Sequence, residues 1–221
     1  MNIRSSINRL FPQRCLLCHS ASGPLCDACR GDLPWHTDRV CPVCAQPTPN
    51  GDTCGHCLKD PPAFDRTHAL FAYGFPADSL VQRLKYSESL AIAPILGALL
   101  AEHTVNKPDI WLPMPLHANR LRERGFNQAV EITRELSRQR GIAMQASWAT
   151  RSRDTPPQAG LKREARRKNL RGAFACTSAV KGLHVGIVDD VMTTGSTLDA
   201  LAQVLKQAGA KEVSCLVVAR A

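Results

Sequence analysis

The sequence predicts an α/β protein in which a parallel-sheet domain follows a small cysteine-rich domain. Two observations support this fold class. Between residues 61 and 221, apolar segments of strand length alternate with segments of helical periodicity, as expected for parallel strands joined by crossover helices. Before residue 61, eight cysteines form four Cys-x-x-Cys pairs, a spacing typical of metal-binding knuckles. We therefore expect a metal-binding domain in residues 1–60 and an α/β domain in residues 61–221.

The eight cysteines of residues 1–60 are the predicted metal ligands. The pairs are Cys15 and Cys18, Cys26 and Cys29, Cys41 and Cys44, and Cys54 and Cys57. Seven residues separate the first two pairs and nine separate the last two. Each set of two consecutive pairs can supply a tetrahedral four-thiolate site on a short hairpin, which resembles a double zinc ribbon with two structural Zn²⁺ ions. Sequential pairing closes the shortest loops, but pairing of the first with the third pair and the second with the fourth is the alternative.

Other uses of these residues are weaker hypotheses. Disulfides and an iron–sulfur cluster are the alternatives for the cysteines, and disulfides are disfavoured in a reducing compartment. Three histidines, His19, His36 and His56, lie among the knuckles, but eight thiolates already fill two sites. Cys176 and Cys215 stand alone in strand-like segments, which predicts small buried side chains rather than nucleophiles.

The sequence also predicts a cytoplasmic protein without membrane insertion. No apolar run reaches eighteen residues, and the longest, at residues 91–101, is interrupted by Pro94 and Gly97. The first twelve residues contain neither the apolar stretch nor the small-residue cleavage site of a secretion signal.

The predicted elements of the α/β domain follow from apolar periodicity. Strands are expected at residues 68–73, 109–112, 145–150, 183–188 and 213–218. Helices are expected at residues 77–86, around residues 129–136, and at residues 198–208. Alternation of strands with helices favours parallel pairing of all these strands in one sheet.

The most informative segment, residues 185–198, combines an acidic pair with an anion-binding turn. A buried strand is expected to end just before Asp189 and Asp190, and a helix begins close behind them. The turn between them consists of small hydroxyl residues and one glycine, so several backbone N–H groups can converge on a phosphate at the helix N-terminus. Adjacent carboxylates suit a ribose diol and Mg²⁺, which proteins commonly hold together with substrate phosphates. A purely structural turn is the alternative.

These residues resemble the phosphoribosyl pyrophosphate (PRPP) loop of type I phosphoribosyltransferases, and the rest of the chain resembles the ComF/GntX branch of that family. The matching loop comprises Asp189, Asp190, Val191, Met192, Thr193, Thr194, Gly195, Ser196 and Thr197. The resemblance implies that the two acids hold the ribose 2′ and 3′ hydroxyls. It also implies that Thr193 to Thr197 hold the 5-phosphate and that Mg²⁺ accompanies PRPP.

A basic region supplies the remaining predicted ligands. Residues 117–172 contain fourteen Lys and Arg and five Asp and Glu. The net charge of this region is therefore +9, which equals the net charge of the whole chain. The resemblance extends to residues 122–128, 151–158 and 167–174. It implies that a mobile loop at residues 151–172 closes over PRPP. The implied pyrophosphate and phosphate contacts are Met114, Pro115, Leu116, His117 and Lys85. Arg124 and Arg153 are the predicted guanidinium contacts to pyrophosphate, because a planar guanidinium binds phosphate oxygens in pairs.

Together these features predict a phosphoribosyltransferase that transfers the phosphoribosyl group of PRPP to an unidentified acceptor and releases pyrophosphate. The ComF resemblance implies a role in competence, the uptake and use of extracellular DNA, and hence DNA-processing partners. The alternative is a single-stranded nucleic-acid-binding protein with a regulatory or vestigial PRPP site. Trp35 and Phe11 are its candidate stacking residues, although aromatic residues make up only 5% of the chain.

Overall fold

The computed structural model describes residues 14–36, 39–85, 90–153 and 172–221. Within them the helices are α1 (Asp27–Gly31), α2 (Gly55–Lys59), α3 (Ala77–Lys85), α4 (Ile92–His103), α5 (Ala118–Arg124), α6 (Gln128–Arg140) and α7 (Ser196–Gln207). The strands are β1 (Arg66–Ala72), β2 (Ile110–Pro113), β3 (Ala149–Arg151), β4 (Phe174–Cys176), β5 (His184–Met192) and β6 (Glu212–Arg220). A short 3₁₀ turn covers Ser178–Val180.

Four parallel strands form the main sheet in the order β1-β6-β5-β2. The central strand β5 pairs with β2 from Val185 to Val188 and with β6 from His184 to Met192. Because β6 continues to Arg220, pairing extends β5 four residues beyond the predicted end at residue 188. The predicted parallel α/β architecture is confirmed, and the acidic pair lies within the end of a strand rather than beyond it.

Each face of the sheet is covered by its own apolar cluster. On β6, the side chains of Cys215 and Val217 belong to one cluster while Leu216 belongs to the other, the alternation expected of a strand buried on both faces. The first cluster contains the apolar face of α7, and the second contains those of α3, α4 and α6. Cys215 is fully buried, as predicted. Within the described ranges no helix is long and apolar enough to cross a membrane.

The apolar run at residues 91–101 forms most of α4, which crosses α6 at very close range. Pro94 lies in the first turn of α4, where a missing N–H removes no helical hydrogen bond. A Cβ atom at Gly97 would lie 2.5 Å from the carbonyl oxygen of Ile132 and 2.9 Å from Cβ of Glu135. The glycine therefore permits the contact between the two helices.

One predicted strand is placed differently. Residues 145–150 were expected in the parallel sheet, but the strand observed, β3, pairs antiparallel with β4 in a separate two-stranded sheet. Before it, the chain touches β2 briefly, where the Trp111 N–H donates to Ala143 and the Gln145 N–H donates to Trp111, each at 2.8 Å. After that single bridge at Met144 the chain leaves the sheet, because β4 offers β3 a partner of its own.

The cysteine-rich segment packs on the α/β fold at several points. Its residues 34–36 cover the free edge of β1: the His36 N–H donates to Leu70 at 2.9 Å, and the Ala72 N–H donates to Pro34 at 2.8 Å. Arg30 forms an ion pair with Glu102 of α4 at 2.6 Å. These contacts protect a sheet edge from pairing with other chains. The division at residue 60 stays a prediction.

We predict that Gly97→Ala destabilises the fold by about 1–3 kcal/mol, because the added methyl group overpacks the crossing of α4 and α6. Urea unfolding of the zinc-loaded protein measures this change. Gly74→Ala is the matched control, since a Cβ atom there meets nothing within 4 Å. Equal unfolding free energies for the two variants would contradict the proposed close contact.

Candidate functional site

The eight predicted metal ligands form two separate clusters. In each cluster the four sulfur atoms lie within 4.8 Å of one another. The first cluster contains Cys15, Cys18, Cys26 and Cys29, and the second contains Cys41, Cys44, Cys54 and Cys57. The Sγ atoms of Cys18 and Cys26 are 3.6 Å apart, as are those of Cys44 and Cys54. A tetrahedral site with Zn–S bonds of ~2.3 Å has sulfur–sulfur edges of about 3.8 Å. The clusters therefore fit structural Zn²⁺, and the pairing is sequential.

The surrounding residues agree with this assignment. The ten cysteines are free thiols, so the disulfide alternative is not supported. The described residues place no histidine in either cluster. The side chains of His19 and His56 are exposed and that of His36 is partly buried. Four thiolates close each site and leave no position for a reacting water, so both sites are structural.

The two knuckles repeat one backbone conformation. His19 and Ala45, each following the second cysteine of a pair, have φ angles of 61° and 56°. Backbone N–H groups also converge on the first cysteine of each cluster. Although burial raises the pKa of these thiols, the N–H donors lower the pKa of Cys15 to about 6 and that of Cys41 to about 7. A stabilised thiolate is the form that binds zinc.

The phosphate loop joins β5 to α7. Gly195 is the N-cap of α7 and has a φ of 76°, in the left-handed region that favours glycine, and a Cβ atom there would also lie 2.6 Å from Cε of Met192. The hydroxyls of Thr194 and Ser196 lie 2.9 Å apart, and the Ser196 N–H faces the Thr194 hydroxyl at 3.4 Å. The first turn of a twelve-residue helix with this cradle is suited to an anion.

The acidic pair precedes the loop with its carboxylates in different surroundings. Asp190 pairs with Lys85 of α3, with Oδ2 3.3 Å from Nζ, so the predicted phosphate ligand Lys85 lies beside the acidic pair. The side chain of Asp189 is partly buried, and burial together with the charge of Asp190 raises its pKa to about 7. The charges of Lys85 and Arg151 partly oppose that shift.

The turn after β2 lies beside the acidic pair. The Met114 N–H donates to Val188 of β5 at 2.8 Å, which ties the start of residues 114–117 to the strand that ends in the loop. Met114 and Pro115 are buried, and Leu116 and His117 are partly buried. The His117 ring accepts from the Asn119 N–H at 3.2 Å and caps α5. The turn at residues 114–117 and the acidic pair at the end of β5 are thus neighbours.

The predicted arginines lie on different elements of the structure. Arg124 ends α5 and is partly buried, and Arg153 is exposed just beyond β3. Arg151, in β3, stacks on Phe174 at 5.6 Å, and its charge acts on Asp189. The charge of Arg151 thus acts on the acidic pair, and the assignment of Arg153 to pyrophosphate stays a prediction. The rest of the predicted mobile loop, residues 154–171, lies outside the described residues.

Three further residues hold the site together and were not predicted. The Asn127 amide donates to the Met114 carbonyl at 3.0 Å and fixes the turn after β2. Asp199, buried in the first turn of α7, accepts from the Ala63 N–H at 2.8 Å. Arg220, at the end of β6, donates to carbonyl groups of Cys44, Met192, Thr193 and Ala221. Asn127 falls within a motif noted in the sequence, whereas the other two carry no local signal.

The fold and the site define a class: a phosphoribosyltransferase-type α/β domain carrying an amino-terminal double zinc ribbon. Residues 6–58 match the family model of the double zinc ribbon domain, and residues 123–221 match that of the phosphoribosyl transferase domain. Relatives that align with most of the chain identify the family more narrowly than these two domain models do. The chain belongs to the ComF/GntX family.

Two curated relatives illustrate the similarity. The DNA utilization protein YhgH of Salmonella typhimurium is 36% identical over 183 residues, covering 79% of this chain and 81% of the relative. Competence protein F of Haemophilus influenzae is 31% identical over 227 residues, covering 96% of this chain and 98% of the relative. Among solved structures, glutamine PRPP amidotransferase from B. subtilis aligns with 62% of this chain at 18% identity and a TM-score of 0.43, and the match spans 30% of that longer protein.

We predict that the purified protein holds two Zn²⁺ per chain and that paired serine variants reveal the pairing. With sequential sites, Cys18→Ser with Cys29→Ser removes one zinc, because both changes fall in one cluster. Cys18→Ser with Cys44→Ser removes both, because each cluster loses a ligand. Elemental analysis after a chelator wash gives the stoichiometry. The reverse pattern, none retained by the first variant and one by the second, would indicate crossed pairing.

We predict that the protonation of Asp189 makes the stability of the fold depend on pH. The pKa of this carboxyl is raised from 3.8 to about 7 on folding, so the native state binds the proton more tightly and stability is lost as pH rises toward 7. Asp189→Asn cannot lose that proton. Between pH 5.5 and 7.5, the unfolding free energy of the wild type should fall relative to that of the variant by about 2 kcal/mol.

Chemical unfolding at both pH values, with zinc and without phosphate ligands, checks this expectation. Asp52→Asn, at an exposed position in the second ribbon, controls for the general effect of removing a carboxylate. A difference between wild type and Asp189→Asn that does not change with pH would show that Asp189 keeps its ordinary pKa.

Proposed function

We propose that this chain binds PRPP with Mg²⁺ at the carboxyl edge of β2 and β5 and displaces pyrophosphate from it. The observation that carries this proposal is the pairing of these two parallel strands. Pro113 is in register with Val188, so the turn at residues 114–117 and the loop at residues 193–197 begin at the same sheet edge. Ligands of open parallel sheets bind at this edge.

The loop and the acidic pair are the proposed ribose-phosphate site. Backbone N–H groups and hydroxyls of Thr193 to Thr197 hold the 5-phosphate at the start of α7. Asp189 and Asp190 accept hydrogen bonds from the ribose hydroxyls. The same two carboxylates offer hard oxygen donors, which fits Mg²⁺ shared with the diphosphate of the substrate. The bound ion would neutralise phosphate charge.

The basic residues are the proposed pyrophosphate site. The bond between the anomeric carbon and the diphosphate oxygen breaks, the diphosphate leaves with the bonding electrons, and a nucleophilic acceptor bonds to that carbon. Arg124, Arg151 and Arg153 stabilise the charge on the leaving group, and the turn at residues 114–117 positions it. Residues 117–172 carry the positive charge excess of the chain, which suits a polyanionic substrate.

We further propose that this activity has a role in the use of DNA by the cell. We also propose that the protein acts in the cytoplasm, because a reducing compartment keeps the zinc-binding cysteines from forming disulfides. Support comes from the names of the relatives, DNA utilization protein and competence protein. Direct single-strand binding receives less support. Trp35, its candidate stacking residue, packs between Phe71 and His103, with ring centroids 5.0 and 4.4 Å away. Phe11 lies outside the described residues.

We predict that calorimetric titration with PRPP and Mg²⁺ detects binding to the wild type and that the double change Asp189→Asn, Asp190→Asn weakens it. Each carboxylate lost removes a charge-assisted hydrogen bond, so the dissociation constant should rise by about tenfold or more.

The matched control removes two exposed carboxylates from the ribbons, Asp27→Asn with Asp52→Asn, and changes net charge by the same amount. This control should bind PRPP as the wild type does. Absence of PRPP binding by the wild type would refute the proposed function. Salt-sensitive single-strand binding retained by the site variant would then favour the nucleic-acid alternative.

A further inference from the structure

The second zinc ribbon and the phosphate loop are joined by one buried guanidinium group. Arg220, the last residue of β6, is 8% exposed. Its Nε atom donates to the Cys44 carbonyl at 2.8 Å, within the second cysteine cluster. Its Nη1 atom donates to the Met192 carbonyl at 3.0 Å and to the Thr193 carbonyl at the start of the loop. One side chain thus bridges a zinc knuckle and the loop.

These hydrogen bonds fix the direction of the loop's peptide groups. Both peptide bonds concerned are trans, and in a trans peptide the N–H points opposite to the preceding C=O. Because Arg220 draws the carbonyls of Met192 and Thr193 to one side, the N–H groups of Thr193 and Thr194 point to the other. Those two N–H groups belong to the loop proposed to hold the 5-phosphate.

The second ribbon also belongs to the same apolar core as the residues next to the loop. Cys41, Cys44 and Cys57 share one apolar cluster with Phe64 and Met192. A Cβ atom at Gly195 would lie 2.6 Å from Cε of Met192 and 3.7 Å from Phe64, so both side chains lie against the loop. The second ribbon and the loop are therefore linked through one continuous core as well as through Arg220.

The first ribbon has a similar anchor elsewhere. The Arg83 guanidinium donates to the Leu16 carbonyl of the first knuckle at 2.6 Å. Leu16, Leu17 and Leu25 pack against the apolar cluster on the opposite face of the sheet. None of these contacts involves the loop at residues 193–197, so the two ribbons differ in what they support.

We propose that Arg220 is a positioning residue for the phosphate loop and that the second zinc site is its anchor. The guanidinium holds the loop amides in the orientation that receives a phosphate. The zinc-bound knuckle fixes the position of the Cys44 carbonyl, and this carbonyl accepts a hydrogen bond from Arg220 and so holds its guanidinium in place. The second zinc therefore acts on ligand affinity, whereas the first acts on stability alone. This inference rests on the proposed PRPP binding.

The first experiment compares Arg220→Met, Arg220→Lys and the matched control Arg83→Met. PRPP and ribose 5-phosphate are titrated into each with Mg²⁺, and the zinc content is measured in parallel. Arg220→Met should weaken both ligands by the same factor, about tenfold or more, because the loop contacts the phosphate they share. Arg220→Lys should recover part of the affinity, since an ammonium can still donate to one or two carbonyls. Arg83→Met should bind as the wild type does.

Hydrogen–deuterium exchange supplies a readout that needs no ligand. In Arg220→Met, exchange should rise in peptides covering residues 192–197 and stay unchanged in peptides from α4, with two zinc ions retained. Loss of the second zinc through Cys44→Ser with Cys54→Ser should raise exchange in the same loop. Loss of the first through Cys18→Ser with Cys29→Ser should not.

The outcomes separate this inference from the function on which it rests. If the wild type binds PRPP and Arg220→Met binds it equally well, the positioning role is refuted and the proposed function stands. If the wild type does not bind PRPP, the proposed function fails, and the exchange data alone decide whether Arg220 orders the loop. Equal loop exchange in the two zinc-site variants would refute the anchoring role of the second zinc. A poorly folded serine variant is replaced by stepwise zinc removal with a chelator.

Discussion

The pairing of β5 between β2 and β6 is the constraint on which the rest of the structure depends. It places three strand ends at one edge of the sheet. From β2 comes the turn that Asn127 holds, from β5 the acidic pair and loop, and from β6 the bridging Arg220. Parallel strands in register deliver their carboxyl ends together, so functional groups that are distant in sequence become neighbours without any local motif to join them.

The zinc sites make up for a shortage of apolar residues in the first sixty positions. A small segment of this kind cannot bury enough surface to fold alone, and metal coordination supplies the missing free energy. Each ribbon then contacts part of the larger domain: one binds the helices α3 and α4, and the other binds Arg220, which also contacts the loop that follows β5. The metal thus stabilises both the ribbons and the surfaces that they cover.

Most of the architecture could be predicted from local pattern. Cysteine spacing gave the ligands, apolar periodicity gave the strands of the main sheet, and the acidic pair with its glycine turn located the loop. Contacts between distant segments could not be predicted this way. A three-residue strand such as β3 takes its partner from whichever segment lies beside it, and β4 is 23 residues further along. Likewise, Arg220 is the last residue of an apolar strand and binds main-chain carbonyls, which any sequence would provide.

The ion pair between Lys85 and Asp190 affects how a highly charged ligand enters. Two adjacent carboxylates would repel a polyanion before any cation could bridge them, and desolvation would strengthen that repulsion. The ammonium of Lys85 lies 3.3 Å from Asp190 and the pKa of Asp189 is raised to about 7, so these three groups carry less negative charge at neutral pH than two unpaired carboxylates would. The weaker negative charge lowers the repulsion of an incoming anion, and the positive net charge of the chain favours its approach.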